Sequence, residues 1–473
     1  MNAWKFGPLA WLCLSSFSTA TLAGVLDEGW FGASSPEQRS LAPSQLIEQT
    51  GGQRLTPELD APAAHRLLDL NQAVQMAVNR HPSIADAIAT LAQQGDGIAM
   101  ARSGYYPQVK MGLGRGDTTQ NGTSQTASLS VSQLLYDFGK VAGSVDSAQA
   151  QSRRQQALVL KQIDLISRQT AEATIDLHRY RLLGRIADEQ VSAMERVYAM
   201  TQDRAGAGVT SRSDPIQALA RVDAARANQL QIRSQYHQAQ ERLRTLVGGP
   251  VSGEIAALSD DQAARVDLAR RLDTSILPDV LAAEAERQTA EAQLRVAKAD
   301  RMPTVSIEAA STKALSGDNP STYERHGSDN SISLNFTSTL YQGGGLRAQV
   351  RAATNALEAA RQRIEDARLS ASDQMRNMRE QIIGNRARLG VLGSRKRNLD
   401  ESRELYREQY KLGTRSILDL LNTEQEYYQA LSDEEMVRHD LWLGQVGLVD
   451  AQGRGREFYG LNYTTVQGME VLP

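Results

Sequence analysis

Ser331-Ile332-Ser333-Leu334-Asn335-Phe336-Thr337 alternates polar and apolar residues without a break, and Thr339 and Leu340 prolong it. A period of two marks a strand with one apolar and one wet face. Three other stretches repeat the pattern: Val109-Lys110-Met111-Gly112-Leu113-Gly114, Ala127-Ser128-Leu129-Ser130-Val131-Ser132 and Thr304-Val305-Ser306-Ile307-Glu308-Ala309. Lys110 and Glu308 fall on the polar faces. About ten residues of such alternation cross a membrane as a tilted strand. Two hairpins lying on a soluble core would show the same alternation, but their flanks would differ. Here Tyr105 and Tyr106 open the first strand, Tyr136 and Phe138 close the second, and Tyr341 ends the fourth. Antiparallel pairing gathers these rings at one end, as in an interfacial belt. The opposite turns, residues 116–124 and 313–329, are polar. Four strands cannot close a barrel and an open edge does not survive in lipid. At least two chains must therefore share one barrel, and three would give twelve strands.

The strands interrupt long helical windows. No proline occurs between Pro107 and Pro215, or between Pro320 and Pro473. Ile163, Ile166, Thr170, Ala173, Leu177, Tyr180, Leu183, Ala187, Val191, Met194 and Val197 follow the three/four spacing of one helical stripe. A helix over residues 140–204 would be roughly 100 Å long at 1.5 Å per residue. A second window, residues 346–411, repeats it. Such length without a terminator points to coiled-coil packing.

The 473 residues carry Lys+Arg 52 against Asp+Glu 55, a formal net charge of −3, too even for a nucleic-acid binder. A mean hydropathy of −0.42 excludes a helical membrane bundle. Residues 1–23 have the layout of a secretory signal peptide: Lys5, an apolar run, then Thr21-Leu22-Ala23. The one cysteine, Cys13, follows Trp11 and Leu12 rather than the small residues of a lipidation signal. A processed chain would have no disulfide and no thiolate site. Residues 24–68, rich in Pro, Ser, Gln and Gly, read as an extended lead-in.

The chain also repeats itself. Tyr105-Tyr106-Pro107-Gln108-Val109 matches Arg301-Met302-Pro303-Thr304-Val305 at an offset of 196. Leu135-Tyr136-Asp137-Phe138-Gly139 matches Leu340-Tyr341-Gln342-Gly343-Gly344, and Gly208, Ser211 and Asp214 match Gly413, Ser416 and Asp419, all at 205. A constant offset with one insertion, in the second hairpin, indicates duplication. Repeat 1 spans residues 69–254, a linker 255–272, repeat 2 residues 273–452 and a C-terminal tail 453–473. Each repeat reads helix, β-hairpin, very long helix, tight turn, returning helix.

This order, the Tyr-Pro-Gln-Val and Leu-Tyr-Asp-Phe-Gly motifs with their duplicates, and the turn from Tyr410 through Lys-Leu-Gly-Thr-Arg-Ser-Ile-Leu to Asp419 resemble the TolC family of outer-membrane efflux and secretion channels. The resemblance covers about residues 69–450. It implies a mainly α fold with a membrane β part: a homotrimer whose four strands per chain form one 12-stranded β-barrel in outer-membrane lipid, continued into the periplasm by an α-helical barrel.

Local chemistry at the turns reads first as capping. Gly206, Gly208 and Gly413 suit left-handed helix ends. Asp214-Pro215 reads as an N-cap with a first-turn proline, and Ser416-x-x-Asp419 as a capping box. The family resemblance adds a pore gate. By position it implies that Tyr410 and Arg415 hold the second turn, Asp214 is their acidic partner on the first, and Asp419 is one ring of pore carboxylates. The second ring falls on Asn422, so a trimer would present three carboxylates rather than six. Gly208, Val209, Ser211, Gly413, Thr414 and Ser416 would form the tips on which a periplasmic adaptor docks.

No phosphate loop, dinucleotide glycine motif or nucleophile elbow occurs, and the six histidines show no metal-ligand spacing, so neither enzyme activity nor a metal or cofactor is expected. The resemblance implies a passive duct opened by recruitment to an inner-membrane transporter, ABC type favoured, through a membrane-fusion adaptor. Its cargo is a secreted protein or adhesin, which the missing lipidation signal favours, or a small molecule. A periplasmic coiled-coil scaffold without a pore would not need strands with apolar outer faces and aromatic ends. An adaptor would carry a lipoyl-like β module, and none is seen.

Overall fold

The computed structural model describes residues 69–118, 122–249 and 266–471. The expected signal peptide 1–23, the lead-in 24–68 and residues 255–265 of the expected linker lie outside the described residues.

Repeat 1 comprises α1 (Leu70–Arg80), α2 (Pro82–Arg102), β1 (Gln108–Thr118), β2 (Gly122–Tyr136), α3 (Lys140–Gly206) and α4 (Ser213–Val247). Repeat 2 comprises α5 (Pro278–Ala299), β3 (Thr304–Ser316), β4 (Ser328–Thr337), α6 (Gly345–Lys411) and α7 (Ile417–Ala451). The C-terminal tail folds into α8 (Gly455–Phe458) and a small hairpin, β5 (Thr464–Val466) with β6 (Met469–Val471). The duplication is metrically close: α3 and α6 each have 67 residues, and α4 and α7 each have 35. At 1.5 Å per residue the long helices reach about 100 Å. Among the described residues, no helix is apolar enough to cross a membrane.

The four long strands form one antiparallel sheet in the order β1-β2-β3-β4. Its register sorts the two faces. Val109 lies opposite Val131, Val131 opposite Ala309, and Ala309 opposite Ile332. One residue along, Lys110, Ser130, Ala310 and Ser331 form the neighbouring row on the other face. Met111, Leu113, Ile332, Leu334 and Phe336 are each about 70% exposed or more on the apolar face (68–79%). On the polar face Asn335 donates to Glu308 Oε2 at 3.1 Å. β4 stops at Thr337, so Thr339, Leu340 and Tyr341 lie beyond it rather than within it. Thr337 is the last residue with a partner, Thr304 on β3, and the preceding Pro303 has no N–H to extend the ladder. The polar loops are also shorter than expected, because Thr118 pairs with Gly122 and Lys313 with Ser328.

Asp137 explains how β2 passes into α3. Its carboxylate accepts from Gly139 N at 2.9 Å and Val141 N at 2.6 Å, satisfying amides that a helix start leaves without partners. Lys140 then reaches across to β3, donating to Thr304 Oγ1 at 2.8 Å.

Shorter helices pack along each long one. α2 holds α3 through Gln162 to Ser83 (2.8 Å), and α4 through Gln229 to Asp188 (2.7 Å). α6 is flanked in the same way by α5 and α7, with Lys396 on Glu434 at 2.6 Å. The main core sits midway along α3, where Val159, Ile163, Ile166 and Ile175 meet α1, α7 and the C-terminal tail (Tyr459, Leu461, Val466, Val471). Two ion pairs fix that junction: Arg456 with Asp164 at 3.2 Å and Arg168 with Asp450 at 3.3 Å.

The seam between the repeats carries a buried imidazole pair. His439 on α7 is fully enclosed, and its Nδ1 donates to the Glu435 carbonyl at 2.7 Å. Its Nε2 is therefore the acceptor for His178 Nδ1 on α3, at 2.9 Å. Trp442 packs on both rings. Burial pushes both histidines down to about 4, helped at His178 by Arg181 and Arg185 and at His439 by His178, Arg179 and Arg438.

Leu334→Lys on the apolar face is expected to reduce recovery of assembled protein from the outer-membrane fraction, at about 2–4 kcal/mol for a lysine at mid-depth, whereas Ser333→Lys leaves it near normal. Equal recovery of the two variants would show that the faces are not distinguished by lipid. The imidazole pair stays neutral in the folded chain down to about pH 4, while the unfolded chain protonates near 6.5. Its stabilisation is thus complete above pH 6.5 and is lost as pH falls toward 4. Thermal unfolding midpoints measured across that range are expected to fall more steeply for the natural chain than for His178→Gln/His439→Gln; parallel slopes would refute the assignment.

Candidate pore gate at the helix tips

The tips form where α3 turns into α4 and α6 into α7. Both long helices end in the same motif. Val209 N donates to Arg204 O at 2.9 Å and Gly208 N to Ala205 O at 3.1 Å. In repeat 2, Thr414 N donates to Gln409 O and Gly413 N to Tyr410 O, both at 3.0 Å. This crossed pair of bonds is the Schellman stop, which places the following residue in the left-handed region. Gly208 at φ +71° and Gly413 at φ +76° occupy it. Gly206 instead remains the last residue of α3.

The restarts differ between repeats. Ser416 caps α7, its hydroxyl accepting from Asp419 N at 3.3 Å. Only half of the expected box forms, because the Asp419 carboxylate turns to Arg415, with Nε to Oδ2 at 3.1 Å. In repeat 1 the reading of Asp214 as N-cap is corrected. α4 already begins at Ser213, and Asp214 lies inside its first turn. Ser211 causes the earlier start: its hydroxyl accepts from Ser213 N at 3.2 Å and its carbonyl from Asp214 N at 3.2 Å. A carboxylate in a first turn still favours the helix through its dipole.

Asp214, Tyr410, Gly413, Arg415 and Ser416 line one cavity together with Arg204. Tyr410 is 2% exposed and packs with Val191, Met194, Val222, Leu420 and Leu421. Burial, with Asp214 nearby, raises its phenol above the usual range, and Arg204 opposes that shift. Arg415 lies over the Tyr406 ring at 4.0 Å, so within the chain it contacts its own helix pair rather than Asp214. Asn422 stands apart from the cavity, exposed on α7, where Arg221 of α4 donates to it at 3.2 Å. Gly208, Val209, Ser211, Gly413, Thr414 and Ser416 are all exposed at the tips.

Arg204 and Arg221 were not singled out from the sequence. A signal was nonetheless present: at the repeat offset of 205 they stand opposite Gln409 and Glu426, so the duplication has kept the fold there but changed the charge. At the other end of the molecule, Tyr105, Tyr106, Tyr136, Phe138 and Tyr341 are all exposed, between 44% and 83%. Tyr136 and Phe138 meet edge to face at 4.7 Å.

The sequence model of the outer membrane efflux protein family matches residues 73–249 and 277–454, one match on each repeat. Outer membrane protein TolC of Salmonella enteritidis is 25% identical over 437 residues, covering 86% of this chain and 86% of that protein. Alkaline protease secretion protein AprF of Pseudomonas aeruginosa is 24% identical over 405 residues, covering 79% and 82% respectively. Among solved structures, the outer membrane protein VceC of Vibrio cholerae has the same fold, with a TM-score of 0.71 at 17% identity over 81% of this chain and 96% of that one.

Proposed function

Since the chain belongs to the outer membrane efflux protein family and lies in the outer membrane of a Gram-negative bacterium, we propose that three copies form one export duct. The observation that carries this reading is the four-stranded sheet, with an exposed apolar face and two unpaired edges, β1 and β4. Three such sheets joined edge to edge give twelve strands and leave no edge in lipid. α6 supports assembly too. Leu369, Ile383, Val391 and Leu405 recur along it at multiples of about seven residues, each at least 45% exposed within the single chain.

The tips carrying Asp214, Tyr410, Arg415, Asp419 and Asn422 close the periplasmic end. Three copies place three Asp419 carboxylates around the constriction, a weak cation preference rather than a strong ion site. The duct is passive: an inner-membrane transporter of the ABC type supplies the energy, and a periplasmic adaptor engages the exposed tip residues. Cargo is a secreted protein, a reading supported by AprF, whose name records protease secretion. The alternative is small-molecule efflux, supported by the family description itself.

Single-channel recording of the detergent-extracted protein in a planar bilayer tests the duct. Small, steady steps with a cation preference are expected, and Asp419→Asn is expected to abolish that preference. Absence of steps, from protein that also stays in solution without detergent, would leave a periplasmic scaffold as the better reading.

A further inference from the structure

An ion pair can resist separation of two elements only if its ends lie on different elements. Arg415 precedes the Ser416 cap of α7 and Asp419 lies in its first turn, so within one chain their contact stays in repeat 2 and does not reach repeat 1. Near the tips, Arg204 and Arg221 do cross between the repeats. Arg204, in the last turn of α3, donates from Nη1 to the Lys411 carbonyl at 2.9 Å and sets its guanidinium 5.0 Å from the Tyr410 ring centre. Lys411 ends α6, so this carbonyl is one that the helix leaves without an internal partner, at the negative end of its dipole. Arg221, on α4, donates from Nη1 to Gln425 Oε1 at 2.7 Å and from Nη2 to Asn422 Oδ1 at 3.2 Å.

We infer that Arg204 and Arg221 are the positioning residues that hold the repeat 2 tip closed against repeat 1. The inference rests on the tips being the gate. It assigns to Asn422 a role that the sequence reading did not give it: a neutral acceptor for the Arg221 fork. Every acceptor in this clamp is neutral: a backbone carbonyl, two side-chain amides and an aromatic face. None of these acceptors carries a charge of its own. The hold is therefore less sensitive to salt than an exposed ion pair. The guanidinium at position 221 is required for its shape, since one lysine ammonium lacks the planar fork that here meets both amides.

Channel recordings on the full-length assembled protein test this. Arg204→Ala/Arg221→Ala is expected to raise the open time about tenfold, the scale set by losing charge-assisted hydrogen bonds. Arg221→Lys is expected to recover little of the closure. Asn422→Asp is a second probe that preserves the clamp geometry. It converts the contact to an ion pair, so closure is expected to depend more on salt, and on pH through the carboxylate range, than it does in the natural protein. If Arg415→Ala/Asp214→Ala opens the channel and the Arg204/Arg221 variant does not, the tips gate but this clamp is wrong. If natural channels form and no tip variant alters them, the gate reading itself fails. If the double variant does not assemble, an Asn422→Asp channel without new salt or pH dependence overturns the clamp.

Discussion

In hydrocarbon, a backbone amide has no water to bond, so a sheet that enters lipid must have no open edge. This constraint governs the rest of the molecule. The chain contributes only four strands, ordered β1-β2-β3-β4, and both outer strands lack a neighbour within it. Closure has to come from other copies. Whatever lies below the sheet must then be arranged around the same axis, because α3 and α6 leave β2 and β4 through short turns at Gly139 and Gly344.

The duplication meets that geometric demand economically. Two 67-residue helices descend from the two hairpins, and two 35-residue helices return along their lower parts. α2 and α5 fill the upper parts. The seam between the repeats is closed by contacts of different character at different levels. Arginine–carboxylate pairs and apolar packing hold the middle, where the C-terminal tail is folded in. The neutral His178–His439 pair lies beside it. At the tips, arginines from repeat 1 meet amides and a helix end of repeat 2. The paired Schellman stops at Gly208 and Gly413 give each tip a compact, defined end.

Much of this architecture was legible in local sequence. Alternation in residues 109–114, 127–132, 304–309 and 331–337 located all four strands, because a half-buried strand imposes a period of two on its own residues. The stripe from Ile163 to Val197 located α3 for the corresponding reason. Boundaries set by a neighbour were less legible. Leu340 continues the alternation of β4, yet the strand ends at Thr337 because β3 offers no amide beyond Thr304. Asp214 looked like a cap, but the hydroxyl of Ser211 begins the helix sooner.

What the sequence determined by itself was therefore the set of elements, their duplication, their turn chemistry and the apolar face of the sheet, all of which depend on residues a few positions apart. Only the tertiary structure decided which side chains meet across the seam. Arg204 and the Lys411 carbonyl are separated by 207 residues, and Arg221 and Asn422 by 201. No local pattern encodes such a meeting; it exists because two long helices of equal length end at the same level, bringing a guanidinium from one repeat to an unpartnered carbonyl of the other.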